Sequence, residues 1–338
     1  MKLALAGDTM MGRKVAEAIA VTGPEYLFAE EVVALTRSAD LFVLNLECCI
    51  SEDGTPWPDP RKPFFFRAPP AATEVLNRLG VDCVTLANNH ALDFGPQALL
   101  DTFDHLREAG IACVGAGQRL TEARAPAVLE AQGFRLAVLG CSDHPSDFAA
   151  GPVSPGIAHV DLQGGLDWLP AAIAQLDVDA VLLTPHWGPN MSPEPLPYVR
   201  RAAAALRSAG ATLVAGHSAH VFHGVEHGIL YDLGDFIDDY AVDPELRNDL
   251  GLLFFVTLDQ DAPLRLEAVP LKLEFCHTRL ADGDEADWLR RRFQAACAAL
   301  GTEVAEEEGR LVVSSLDVPD RASALPTSSR RDRCIAPP

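Results

Sequence analysis

The chain has 338 residues, 48% of them apolar, 7% aromatic and 22% charged, the profile of a globular protein with a substantial core. Its formal net charge of −21 weighs against a nucleic-acid backbone or an anionic membrane surface as partner, because the overall field repels both. An acidic substrate stays open, since local cations or a metal reverse the sign inside a cleft.

The opening MKLALAGDTMMGR has too short an apolar stretch for an export signal and is expected to form a first strand, LALAG, ending at Asp8. An amphipathic helix, LFAEEVVALTRSA, leads to a second strand, LFVLNL, ending before Glu47. The Pro-rich SEDGTPWPDPRKP is then expected to be a long loop, placed as a lid would be. Helix AATEVLNRLG precedes strand CVTLA, which ends before Asn88, Asn89 and His90. Helix PQALLDTFDHLREAG precedes strand LAVLG. Strand AVLLTP ends before His186, helix EPLPYVRRAAAALRSAG follows, and strand TLVAG ends before His217 and His220. Continuous apolar strands alternating with helices indicate a largely parallel sheet buried on both faces.

After residue 220 the texture changes. HGILYDLGDF, LGLLFFVTLD and LRLEAVPLKLEFCHTRL read as consecutive antiparallel strands, followed by one helix, EADWLRRRFQAACAAL, and a last strand, RLVVSS. With no linker between the two textures, residues 1–315 are expected to form one α/β domain with two packed sheets. The Pro/Ser/Arg-rich tail, 316–338, is expected to be disordered. No apolar run approaches the roughly 18–20 residues that cross a bilayer. The eight cysteines lack a CxxC pair, and without an export signal they are expected to be reduced and mostly buried in a cytoplasmic protein.

In open α/β sheets, functional groups gather beyond the carboxyl ends of strands. Asp8, Glu47, Asn88, Asn89, His90, His186, His217 and His220 all stand there, at five strand ends. Such a mixed oxygen and nitrogen set suits a divalent ion, Mn, Zn, Fe or Mg, better than a thiolate site does. In GHSAHVFHG, His217 and His220 are expected to point into the site, with His223 and His227 solvated or behind it. Asp93 either orients His90 or caps the next helix. Arg13 and Arg67 are candidate anchors for a substrate carboxylate or phosphate. Of the acidic run YDLGDFIDDY most members are expected in solvent, with Asp235 the one set to support a ligand. His277 follows a strand and is a candidate to reach the cleft.

The ordered stretches GDTMMGR, NLE, ANNHALDFG, HWGPN, GHSAH and ILYDLGDF resemble the CapA family, named for poly-γ-glutamate capsule biosynthesis, over about residues 1–260. That family is similar to a branch of the calcineurin-like metallophosphoesterase superfamily. The resemblance implies an α/β fold, an αββα sandwich of two mixed sheets flanked by helices, with a metal site at one edge. It also implies one metal position built from Glu47, Asn89, His186 and His217, and a poorer second from Asp8 and His220 with Glu47 shared. The superfamily's Asp-x-His appears here as Asp8-Thr9-Met10, so its first histidine ligand is missing and one tight metal is expected. The lead expectation is a metal-dependent enzyme on a peptide or γ-glutamyl substrate. It would act by hydrolysis, or by removing a Cα proton as in lasso-peptide C-terminal epimerases, which look like members of the family. For proton removal Asp8 or His90 is expected on one side of the carbon and His277 on the other. The alternatives are a phosphoesterase and a non-catalytic assembly factor for polymer synthesis.

Overall fold

Six of the apolar runs form strands in the computed structural model, which describes residues 1–259 and 264–316: Lys2–Thr9, Leu41–Leu46, Cys83–Thr85, Phe134–Ser142, Ala180–His186 and Leu213–Ala215. They do not share one sheet. Lys2–Thr9, Leu41–Leu46 and Cys83–Thr85 run parallel in a first sheet that continues to Ala112–Val114. Phe134–Ser142, Ala180–His186 and Leu213–Ala215 run parallel in a second. The later strands Leu250–Thr257, Leu264–Glu274 and Arg310–Leu316 extend the first sheet antiparallel, beginning beside Lys2–Thr9. Ala127–Ala131 joins the second sheet antiparallel to Phe134–Ser142, so both sheets are mixed, as the family resemblance implies, rather than one parallel and one antiparallel. HGILYDLGDF is split: Ile229–Leu230 pairs parallel with Leu213–Ala215, whereas Asp235–Ile237 crosses over to pair with Lys2–Thr9. The disorder expected of the tail from 317 onward lies outside the described residues.

Period-2 alternation explains why the strands are apolar throughout. Leu3 and Leu5 of the first sheet meet Leu136, Val138, Leu182 and Leu213 of the second in the central core. Their neighbours Ala4 and Ala6 face the other way, with Val15 and Ile19 of helix Arg13–Thr22. On the far face of the second sheet, Leu139, Val181 and Leu183 pack with Val199, Ala203 and Leu206 of helix Pro197–Ala209. The layer order is thus helix, sheet, sheet, helix. Each fully buried Leu or Val contributes about 1.5–3 kcal/mol by leaving water.

The crossing of the 233–235 segment over the first strand is set by Gly7. A Cβ there would lie 1.8 Å from the carbonyl oxygen of Gly234. That carbonyl accepts the Asp8 N–H at 2.8 Å, and Asp8 pairs in register with Asp235. Because backbone, not a flexible side chain, fills the space, Gly7→Ala is expected to cost about 1–3 kcal/mol or more by overpacking. A urea midpoint unchanged from wild type would contradict the close approach.

Candidate metal centre

The strand ends of both sheets converge where the first sheet's Asp8 meets the loop after the second sheet's Leu213–Ala215. Asp8 is fully buried. One of its oxygens accepts Asn45 Nδ2 at 2.8 Å and the other accepts the Ser218 N–H at 3.2 Å. His217 Nδ1 and His220 Nδ1 stand 3.2 and 3.3 Å from it. Glu47 Oε1 lies 3.9 Å from both His186 Nε2 and His90 Nε2. Ligand atoms of Asp8, Glu47 and His186 fall within 4.8 Å of one another, and so do those of Asp8, His220 and Asp235.

Two of the expected supporting carboxylates take up their imidazoles. Asp93 accepts from His90 Nδ1 at 2.6 Å, and Asp235 pairs with His220 Nδ1 at 2.8 Å. Asp93 does not cap helix Gly95–Glu108, which has no side-chain cap. It receives instead the Phe66 N–H at 2.6 Å and Lys62 Nζ at 2.8 Å.

Several buried polar atoms make no hydrogen bond: Glu47 Oε1, both nitrogens of His186, Asn89 Oδ1, His220 Nε2 and Asp235 Oδ2. Buried polar atoms without partners are costly, so such a convergence needs an explanation. A divalent cation supplies one, because the donors are carboxylate, amide and imidazole, the set that binds such ions with positions left open. The electrostatics agree. Burial, reinforced by the charge of Asp8, pushes the Glu47 carboxyl well above its usual range. Burial also raises Asp8, but the adjacent His217 and His220 imidazoles outweigh it and hold that carboxyl well below its usual range. Burial drives His186 well below the ordinary imidazole value, whereas in His220 the Asp235 and Asp8 carboxylates overcome burial and raise it. A cation would replace the protons that now neutralise the cluster.

Other expectations need correction. His277 is not brought to the cluster. Along strand His277–Leu280 side chains alternate, and the buried neighbours Cys276 and Thr278 take the inward face. His277 is left stacked on Tyr26, at 5.1 Å between ring centroids, and bonded to the Tyr26 carbonyl. Arg67 is held by the Asp53 carbonyl at 2.9 Å and lies 4.3 Å over the Phe94 ring, away from the cluster. Arg13 pairs with Asp239 at 3.2 Å and lies over the Phe64 and Phe66 rings, beside the site rather than in it. Asp232, Asp235, Asp238 and Asp239 are all buried, not solvated. Asp232 accepts the Ala219 and Gly234 N–H groups, both at 2.9 Å, and so ties the two loops together. His223 is buried against the Ser192 carbonyl at 2.9 Å, while His227 is exposed. Asn88 is spent on Asn45 and the Leu46 carbonyl, which leaves Asn89 as the amide facing the site.

Sequence reasoning missed three participants. His144 has Nδ1 2.5 Å from Asp143 and its ring 5.2 Å from that of His186. It follows strand Phe134–Ser142 as the other candidates follow theirs, so the strand-end rule extended by two residues finds it. Lys62 and Tyr240 had no such signal, being a lysine in a proline-rich loop and a tyrosine after an acidic run. Together with Asn89, His90 and His144 they line an open cleft of about 430 Å³.

Residues 2–240 match the family model described as bacterial capsule synthesis protein PGA_cap. A probable polyglutamine synthesis accessory protein of Mycobacterium tuberculosis is 30% identical over 315 residues, covering 84% of this chain and 80% of its own. The capsule biosynthesis protein CapA of Bacillus anthracis is 28% identical, covering 81% and 68%. Among solved structures, a putative 5′-nucleotidase from Staphylococcus aureus in complex with alpha-ketoglutarate aligns with a TM-score of 0.44 at 13% identity. That alignment covers 86% of this chain and 58% of the other.

Elemental analysis tests the centre directly. Wild-type protein is expected to retain a stoichiometric divalent ion through gel filtration, His186→Ala to lose it, and His277→Ala to keep it. Equal metal content in all three would remove the cluster as a binding site.

Proposed function

We propose that this chain, which belongs to the bacterial capsule synthesis protein PGA_cap family, is a metal-dependent enzyme acting on a peptide or γ-glutamyl substrate. Membership ties it to capsule and poly-γ-glutamate biosynthesis. The observation that carries the enzymatic reading is the set of unpartnered buried donors, Glu47, Asn89 and His186, beside an open cleft. A purely structural metal would be enclosed, whereas a catalytic one keeps positions that substrate can reach.

Glu47 and His186, with Asn89 and His217 as the family resemblance implies, would hold the ion, and Asp8 would be shared with the adjacent group of His220 and Asp235. When bound, the ion supplies a Lewis acid, which either makes a water nucleophilic near neutral pH or acidifies the Cα proton beside a carbonyl. The chain's own contribution is proton transfer. His90 and His144 both line the cleft, each with Nδ1 fixed by a carboxylate, Asp93 and Asp143, so that Nε2 is the nitrogen left to exchange a proton with substrate. His90 thus keeps the role expected of Asp8 or His90, and His144 takes the one expected of His277. Asp8 is occupied by Asn45, Ser218 and two imidazoles, and His277 faces elsewhere.

A second reading is phosphoester hydrolysis, which works best with two ions clamping the attacking and leaving oxygens. It is favoured by Asp8 belonging to both groups and by Asp235 completing the second, where the superfamily pattern has a histidine at the position of Met10. Met10 itself is fully buried among apolar side chains.

The reactions separate in one experiment. Metal-loaded protein is incubated in D₂O with peptide, γ-glutamyl and phosphodiester substrates, and α-deuteration, cleavage and phosphate release are followed. Peptide cleavage or α-exchange is expected, and His90→Gln should lower it by about 10²–10⁴-fold with metal content intact. Phosphodiester turnover alone would select the second reading, and absence of all three would leave an assembly role.

A further inference from the structure

The cleft over the cluster has walls whose chemistry is not that of a polyanion site. Four of them are aromatic: Trp57 and Phe64 from the proline-rich loop, Phe148, and Tyr240. Trp57 meets Phe148 edge-on at 4.8 Å, its indole N–H directed to Asp147 at 3.3 Å. Phe64 lies 6.3 Å from Tyr240 and is 46% exposed at the rim, a large apolar side chain left in water beside a reactive centre. With the half-buried Trp57 and Tyr240 it gives the cleft a continuous aromatic lining. Tyr240 reaches the floor, 5.3 Å from the ring of His220.

The charged groups of the cleft cancel one another. Arg61 makes two bonds to Asp59, both at 3.0 Å. Lys62 is spent on Asp93 at 2.8 Å and on the Asn89 carbonyl at 2.7 Å. Among the described lining residues both cations are thus paired, and Asp147 adds a further negative charge. A run of γ-glutamyl carboxylates would meet two aspartates and no uncommitted lysine or arginine, on a chain whose net charge is already −21. An aromatic or large aliphatic side chain would instead bury itself against four rings in a space of suitable size.

We infer that this cleft takes an aromatic or large aliphatic side chain of a peptide, in preference to consecutive glutamates, and so holds the peptide backbone over the cluster. The inference rests on the proposed function only for what happens to the peptide once bound; the binding itself requires no turnover. It is tested by calorimetry on the full chain, metal-loaded and metal-stripped. The probes are a blocked tripeptide with central phenylalanine, its alanine counterpart and a γ-linked oligoglutamate of similar length. The phenylalanine peptide is expected to bind tightest, on the order of tenfold above alanine, with the oligoglutamate weakest. Trp57→Ala and Phe64→Ser should each move the phenylalanine peptide toward the alanine value, while Trp57→Phe, which keeps the wall aromatic, should stay near wild type. The oligoglutamate binding tightest, equal or undetectable binding of the two tripeptides, or indifference to Trp57→Ala and Phe64→Ser would each overturn the inference. Selective aromatic binding with neither cleavage nor α-exchange of the bound peptide by the metal-loaded protein would sink the enzymatic reading and leave this one standing. A metal-loaded enzyme that prefers oligoglutamate would do the reverse.

Discussion

The Asp8 carboxylate joins the two sheets at the rim of the sandwich. It leaves the end of a first-sheet strand and is met by the Ser218 N–H, His217 and His220, all from the loop that follows a second-sheet strand. A buried charge of this kind is tolerated only when hydrogen-bonded and paired, and removing one member leaves the others stranded at a cost of about 3–5 kcal/mol. The rim is therefore fixed in register by the same groups that would bind an ion. The apolar interior beneath supplies stability without specifying which strand ends come together. Asp8, Asp232 and Gly7 supply that specification through the 216–220 loop, the 232–234 turn and the close backbone crossing.

The loop carrying His217 and His220 is held in conformations that side-chain-bearing residues seldom adopt. Ser218 has φ of 111° and His220 φ of 59°. Such backbone costs roughly 1–3 kcal/mol per residue and persists only where surroundings over-determine it. Here they do so through Ser218 Oγ donating to the Gly188 carbonyl at 2.9 Å and Asp232 accepting the next N–H. Pre-organisation at these positions is installed during folding, so an incoming cation would meet donors already in place.

Much of this was legible in the residues. Apolar runs ending in Asp8, Glu47, Asn89, His186 and His217 announced strand ends, and the fold brings those ends to one rim as five separate polar punctuations implied. The division of the six runs between two sheets was not legible, because strands buried on both faces have the same texture in either sheet. Orientation failed at His277, where the choice of face depends on which neighbour fills the core, and Cys276 and Thr278 fill it. The acidic run after Tyr231 read as solvated because charge alone does not reveal burial. Its burial follows from Asp235–Ile237 crossing to the other sheet, a long-range pairing with no local signature.

Asp93 is a shared fastening. Its side chain grips Lys62 and the Phe66 backbone, its carbonyl accepts the Trp57 N–H at 2.8 Å, and the same carboxylate steers His90. The proline-rich segment and the imidazole are thus latched to one peg. One carboxylate thus sets both the placement of a cleft wall and the orientation of the ring behind it, so a change at position 93 reaches the two together.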